Sequence, residues 1–389
     1  MTHWLTIIGI GEGGVDDLTP AARSALNAAK VVMGPPRHLS MVPDTGPQRI
    51  EWPVPFADGI DTLLNHRGTD TVVLASGDPF WFGAGSVLSA RLERNEWIAH
   101  PGPSVFSLAA ARMGWPLERT TCLGLHAAPL SKMRTALHPG ARLIVTLRDV
   151  AAVADLAGYV ADLGFGDSEI TILERLGGPS ERITTDISGP FDAPVAAAIT
   201  VAGSGTAIPL ASGRPDPIYA HDGQITKRPV RALTLSALAP QPGEHLWDIG
   251  GGSGSVALEW CMAHPTCRAT VIERRPDRAD RIRANADALG QSLSVIEGTA
   301  PDALSGLPQP QAIFVGGGLS QALLDRLAPF AGTRLVVNAV TLETEALVLL
   351  HHAKYGGELL RVQMARPEPL GGFHGWQSSY PLLQWSVTL

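Results

Sequence analysis

Two glycine-rich turns, one in each half of the chain, each directly after an apolar strand, limit this fold more than any other feature. The first is Gly9-Ile10-Gly11-Glu12-Gly13-Gly14, reached through Leu5–Ile10. The second is Gly250-Gly251-Gly252-Ser253-Gly254-Ser255, reached through His245–Ile249. Glycines at the end of a strand let a ligand approach the backbone closely, and a following helix offers unpaired N–H groups. Around both turns, strand and helix patterns alternate. Further strands are expected at Thr71–Ala75, Arg142–Leu147, Glu169–Leu173, Val195–Val201, Ala269–Glu273, Ser294–Glu297, Gln311–Val315 and Arg334–Asn338. Helices are expected at Ser86–Arg94, Ser104–Met113, Ala151–Leu163, Val256–Ala263 and Asp277–Leu289. Such alternation predicts an α/β fold with mostly parallel sheets. The pattern stops between Gly203 and Gly223, in a run of turn formers. At 389 residues the chain is too long for one ordinary core. The expected organisation is therefore a domain over 1–205, a linker over 206–222 and a second domain over 223–389.

The net charge of −7 argues against a general nucleic-acid surface, which needs a basic face. No apolar run approaches the ~20 residues of a membrane helix. Met1-Thr2-His3-Trp4 has no basic leader and runs directly into a strand, and Cys122, Cys261 and Cys267 are too few for a disulfide framework. A cytoplasmic protein with reduced thiols and no metal site is expected. Only four of the 30 basic residues are lysine (30, 132, 227 and 354). Genomic base composition would produce that bias, and so would a need for planar guanidinium groups that grip carboxylates.

Glu273 ends the strand after the second glycine turn, where a carboxylate can accept both hydroxyls of a ribose. This pattern alone leaves two ligands open, because Gly252-x-Gly254-x-x-Ala257 also satisfies the dinucleotide fingerprint. The segment Val295-Ile296-Glu297-Gly298-Thr299-Ala300-Pro301-Asp302, with Asp248 and Glu273 ahead of it, resembles the class I S-adenosylmethionine methyltransferases. The first turn does not suit a dinucleotide: its helix begins only at Thr19-Pro20, and the next strand ends Val31-Val32-Met33-Gly34 without an acid. With Ser76-Gly77-Asp78-Pro79-Phe80 and Pro101-Gly102-Pro103-Ser104, the first half instead resembles the tetrapyrrole (class III) methylases. Glu12 stands where that family has proline. An anion there would repel a bound cofactor's carboxylate or attract its sulfonium.

The pairing of these halves resembles the fused, decarboxylating precorrin methyltransferases of cobalamin biosynthesis. Gly34-Pro35-Pro36-Arg37-His38-Leu39, Leu123-Gly124-Leu125-His126, Gln224-Ile225-Thr226-Lys227 and Val337-Asn338-Ala339-Val340-Thr341-Leu342-Glu343 extend the likeness. It implies a class III methylase with two α/β subdomains, acting at carbon 5 of a precorrin. A Rossmann-like class I domain would follow, acting at carbon 15 and removing the ring C acetate carboxyl. A cobalt-precorrin or another tetrapyrrole is the alternative substrate. The implied cofactor is S-adenosylmethionine, held by Thr226, Gly250, Gly251, Gly252, Ser253, Gly254, Glu273 and Ala300 in one domain. In the other it would meet Gly9, Gly11, Gly77, Asp78 and Ser104. Lys227, Arg228 and Arg231, with Arg37, His38 and Arg148 in the first half, are candidates for the substrate's carboxylates. Asn338, Glu343 and His126 are the candidate catalytic contacts. The arginines at 274, 275, 278, 281 and 283 fall at helical spacing and are expected on a solvated face. The expected partners are the small-molecule tetrapyrrole and further copies of this chain, with no nucleic acid and no membrane.

Overall fold

The computed structural model describes residues 3–44 and 46–389. The chain forms two compact units, Met1–Ala207 and Ile208–Leu389. Within the first unit lie two five-stranded sheets. One is wholly parallel, in the order β3 (Gln48–Glu51), β2 (Val31–Gly34), β4 (Thr71–Ser76), β1 (Leu5–Ile10), β5 (Trp97–His100). Every residue of β1 is buried. Leu5 and Ile7 pack against Trp52, Ile60 and Leu88 on one face, while Ile8 and Ile10 pack against Leu18, Leu26 and Leu39 on the other. Burial on both faces is what a parallel strand with helices above and below requires.

The other sheet of this unit is mixed, ordered β6 (Thr121–Gly124), β7 (Arg142–Thr146), β10 (Val195–Thr200), β8 (Glu169–Glu174), β9 (Arg182–Thr184). Only β6 and β7 are parallel. Leu143 and Val145 of β7 face the helix Ala152–Val160, and Ile144 faces the helix Val105–Met113.

The second unit is one seven-stranded sheet. Its order is β13 (Ser294–Glu297), β12 (Arg268–Glu273), β11 (His245–Ile249), β14 (Ala312–Val315), β15 (Arg334–Ala339), β19 (Leu382–Thr388), β16 (Glu358–Val362). The first five run parallel, and β19 is antiparallel to both of its neighbours. A separate hairpin, β17 (Ala365–Leu370) with β18 (Phe373–Ser378), stands between β16 and β19 in the chain. It leaves Phe373 and Trp376 exposed, whereas Trp385 of β19 is core.

The segment expected as a linker behaves otherwise in its second part. Ile208 and Tyr219 pack with Leu258, Ala286 and Leu289, and Arg214 is buried. Residues 208–222 thus belong to the body of the second unit. Their lack of periodicity reflects a coil held by side chains rather than a free tether.

Candidate functional site

In the second unit, the turn after β11 carries three glycines at left-handed angles, Gly250 (φ 77°), Gly252 (φ 59°) and Gly254 (φ 74°). Side chains are strained there, and a Cβ on Gly250 would also lie 2.8 Å from the Gly317 carbonyl oxygen. The helix Ser255–Ala263 follows at once. Glu273, buried at the end of β12, accepts hydrogen bonds from the Gly252 amide (2.9 Å) and the Arg275 amide (3.0 Å). One oxygen is engaged by each amide, so each keeps a lone pair for a further donor. Gly298 donates its amide to the Glu273 carbonyl (3.0 Å), which brings the segment leading to Ala300 beside that carboxylate.

Asp248 is buried one residue before the end of β11. Its Oδ2 accepts from the Ala257 amide (3.2 Å), but Oδ1 has no partner among the described residues, and neither does the buried Ser253 Oγ. Burial, reinforced by the charge of Glu273, pushes the Asp248 carboxyl up to about 7 despite the Ala257 N–H. Orphaned buried polar atoms beside a glycine cradle are what a bound polar group would complete. The residues present therefore fit a nucleoside carrying a cationic end.

In the first unit, three turns converge at the C-terminal edge of the parallel sheet. Gly77 donates its amide to the Ile10 carbonyl (3.1 Å), and Gly102 donates to the Gly77 carbonyl (3.0 Å). Ser104 caps the helix Val105–Met113 by accepting from the Ser107 amide (3.1 Å). Asp78 accepts from the Phe80 amide (2.9 Å) and so shapes its own turn, while Gly11 faces open space. Phe80, Trp81 and Phe82 then form an exposed shelf. Trp81 packs at a tilt near Phe106 (5.0 Å between centroids), and Phe82 takes a left-handed φ of 56° against Gly124, where a Cβ would meet its ring at 2.8 Å. A bulky residue in that conformation persists only where its surroundings hold it.

Comparisons with known proteins give the family. The profile described as Tetrapyrrole (Corrin/Porphyrin) Methylases matches residues 4–188, and that described as Precorrin methyltransferase domain matches 217–389. A precorrin-6Y C(5,15)-methyltransferase (decarboxylating) of a Sinorhizobium species is 48% identical over 100% of this chain and 97% of its own. The chain belongs to the precorrin-6Y C(5,15)-methyltransferase (decarboxylating) family. A member from Mycobacterium tuberculosis is 41% identical over 99% of both chains. The crystal structure of the C-terminal domain of the Rhodobacter capsulatus precorrin-6Y C5,15-methyltransferase is 55% identical. It covers 47% of this chain and 100% of that one, with a TM-score of 0.46. The chain is thus a decarboxylating methyltransferase with the two-part α/β fold expected of it.

Among the residues expected to hold the substrate, Lys227 and Arg228 are exposed at the start of the helix Arg228–Leu238. Neither has an ion-pair partner among the described residues. Arg231 departs from expectation: it is fully buried and bonded to Glu259. A cation in that position cannot meet a ligand, because its donors are spent inside the fold. Arg37 and His38 also depart. Arg37 pairs with Glu12 and donates to Ser76 Oγ (3.2 Å), and His38 is buried beside them. Burial, then the Arg37 charge, lowers the imidazole to about 4, so His38 is neutral near pH 7. The Glu12 anion is neutralised by that same Arg37. Arg148 pairs with its neighbour Asp149 (2.8 Å).

Of the catalytic candidates, Asn338 has both ends of its amide engaged. Its Nδ2 donates to Thr234 Oγ1 (2.8 Å), and its Oδ1 accepts from Gln384 (2.9 Å). That makes it a node between β15, β19 and the helix Arg228–Leu238, with a second N–H of the amide left over. Glu343 is exposed in the first turn of the helix Leu342–Tyr355, where its own backbone N–H and then the Thr341 side chain hold its carboxyl below the usual range. His126 is exposed and contacts Thr146 Oγ1 (3.1 Å), and partial burial lowers its imidazole. The arginine run is ion-paired rather than only solvated: Arg278 and Arg281 reach Asp222, and Arg283 reaches Asp280 and Glu297. Sequence reasoning did not reach the aromatic shelf, the Glu12–Arg37 pair, or Glu259. A lone acid within the apolar helix SVALEWCMA was the available signal for the last.

Proposed function

We propose that this chain uses S-adenosylmethionine to methylate precorrin-6Y at carbon 5 in the first unit. The second unit methylates carbon 15 and removes the ring C acetate carboxyl, as steps of cobalamin biosynthesis. The reading is carried by one observation: two dissimilar strand-end glycine cradles lie in one chain whose full length matches decarboxylating precorrin methyltransferases. When bound, the cofactor supplies an electrophilic methyl group for in-line displacement by carbon. The meso carbons of a reduced macrocycle are enamine-like and already nucleophilic, so the protein's task is alignment and exclusion of water.

In the second unit, the free lone pairs of Glu273 would accept the ribose hydroxyls, and Asp248 Oδ1 would accept the ammonium. Lys227 and Arg228, unpaired in an acidic protein, would grip peripheral carboxylates of the macrocycle. The carboxylate that leaves as carbon dioxide passes its electron pair into the conjugated ring. In the first unit, the exposed rings of Phe80, Trp81 and Phe82 would offer apolar surface to a macrocycle.

Incubation with precorrin-6Y and S-adenosylmethionine is expected to add two methyl groups and release one carbon dioxide. A product of unchanged mass would overturn the reading, and faster turnover of a cobalt-loaded macrocycle would move it to that substrate. Lys227→Ala and Arg228→Ala are each expected to raise the KM for the macrocycle roughly tenfold, the worth of a hydrogen bond to a charged group. S-adenosylhomocysteine affinity should stay unchanged. Steady-state kinetics with each variant checks this.

A further inference from the structure

The cofactor turn of the second unit is overlaid by a coil, residues 220–227, that makes no regular secondary structure. Three sets of polar contacts hold it, two of them made by the helix Pro276–Ala288 and the third by the helix Ser255–Ala263. Asn285, on the helix Pro276–Ala288, exchanges hydrogen bonds with Ala220 (2.8 and 2.9 Å). It also donates to the carbonyl of Ser253 within the glycine turn (2.9 Å). Asp222 accepts from Arg278 (2.9 Å) and lies 3.4 Å from Arg281 on the same helix. Its other oxygen accepts from the Gln224 amide (3.0 Å). The Gln224 carbonyl then reaches 3.4 Å from where a Cβ on Gly252 would sit.

The third anchor is Glu259, on the helix that leaves the glycine turn. Its fully buried carboxylate accepts from the amides of Gly213 (2.7 Å) and Arg214 (2.9 Å), from Tyr219 Oη (2.9 Å), and from Arg231 Nε (2.6 Å). Arg231 passes that hold onward, donating to Asp216 (3.0 Å) and to the carbonyls of Thr226 and Arg214. An ion pair this deep adds little net stability, because desolvation offsets its attraction, but its geometry is strict. Its hydrogen bonds end on the backbone of Thr226, one residue before the unpaired Lys227.

We infer that Asn285, Arg231 and Glu259 are positioning residues that hold residues 220–227 as a preformed clasp over the cofactor turn. The clasp sets the distance from the bound cofactor to Lys227 and Arg228. This rests on the second unit's proposed role as a methyltransferase. It also explains why a stretch of turn-forming composition is packed rather than free. The cofactor cradle is completed by residues upstream of the sheet, not by the strand-end turns alone.

The test uses the full chain and S-adenosylhomocysteine, with calorimetry resolving two classes of site and hydrogen exchange reading the amides of 220–227. Because a buried carboxylate cannot be changed without straining its partners, Glu259→Gln is accompanied by Asn285→Ser, which removes the bridge but no charge. In each variant that folds, the clasp predicts faster exchange at 220–227 while the helix Arg228–Leu238 stays protected. One class of site should weaken by about tenfold to a hundredfold, and the other should keep its affinity. Faster exchange with both affinities intact would overturn the inference, as would weakened binding with no change in exchange. A wild-type protein that shows only one class of site, belonging to the first unit, would instead overturn the reading of the second unit.

Discussion

Gly9→Ala is expected to abolish cofactor binding in the first unit and, with it, methyl transfer to carbon 5. An added Cβ would lie 1.7 Å from the Gly77 carbonyl oxygen and 2.6 Å from the Gly102 amide nitrogen. Both neighbours are backbone, so no side chain can swing aside, and the turns after β1, β4 and β5 would have to separate. Such a displacement costs more than about 4 kcal/mol, which corresponds to roughly a thousandfold if it falls on the reaction. Titration with S-adenosylhomocysteine should drop from two equivalents to one, and the product should lack one methyl group. Gly11→Ala is the control: its Cβ meets nothing within 4 Å among the described residues, so the unit should fold as before. A Gly9 variant that still binds two equivalents would show that the converging turns are not the cradle.

A second large effect is expected from Asp248, and it depends on pH. The unfolded carboxyl loses its proton near 3.8, whereas the folded one, buried beside Glu273, keeps it to about 7. Between those values the folded state binds more protons, so stability falls as pH rises from about 4 to about 7 and then levels off. Asp248→Asn removes that decline. At pH 8 the variant's second unit should melt roughly 10 °C above the wild type, while near pH 4 the two should coincide. The neutral amide cannot pair with a cofactor ammonium, so S-adenosylhomocysteine affinity at one site should fall at least about tenfold. Melting curves across this range, read beside calorimetry, check both halves. Equal melting temperatures of variant and wild type at pH 8 would rule out the buried, costly carboxylate.

Much of this arrangement was legible in the chain because apolar strands and glycine turns report local necessities. Leu5–Ile10, His245–Ile249 and Ser294–Glu297 stand where their residue patterns place them, and the others shift only at their ends. Gly9, Gly77 and Ser104 come together in space as the three motifs imply. What stayed hidden depends on pairing at long range. Nothing near Arg231 in sequence says that its partner is Glu259, 28 positions on, so its charge reads as an open hand for substrate. The bonds that tie Asn338 into the fold stayed hidden for the same reason, since Thr234 and Gln384 lie far from it along the chain. Two of the late strands were missed because they are antiparallel and mostly exposed. Glu358–Val362 and Ala365–Leu370 have too little apolar alternation to stand out.

The sheet of the second unit has its chain-terminal strand inside rather than at its margin: β19 is inserted between β15 and β16. β16 therefore has no ladder to join until a strand made twenty residues later has docked against β15. That ordering places a long loop closure late in folding, where entropy opposes it and no contact yet compensates. This corner should be the slowest part of the sheet to form. It carries Trp385, one of nine tryptophans, whose indole donates to the Gly356 carbonyl across the same seam; pulsed hydrogen exchange at the β16 and β19 amides during refolding can time the event.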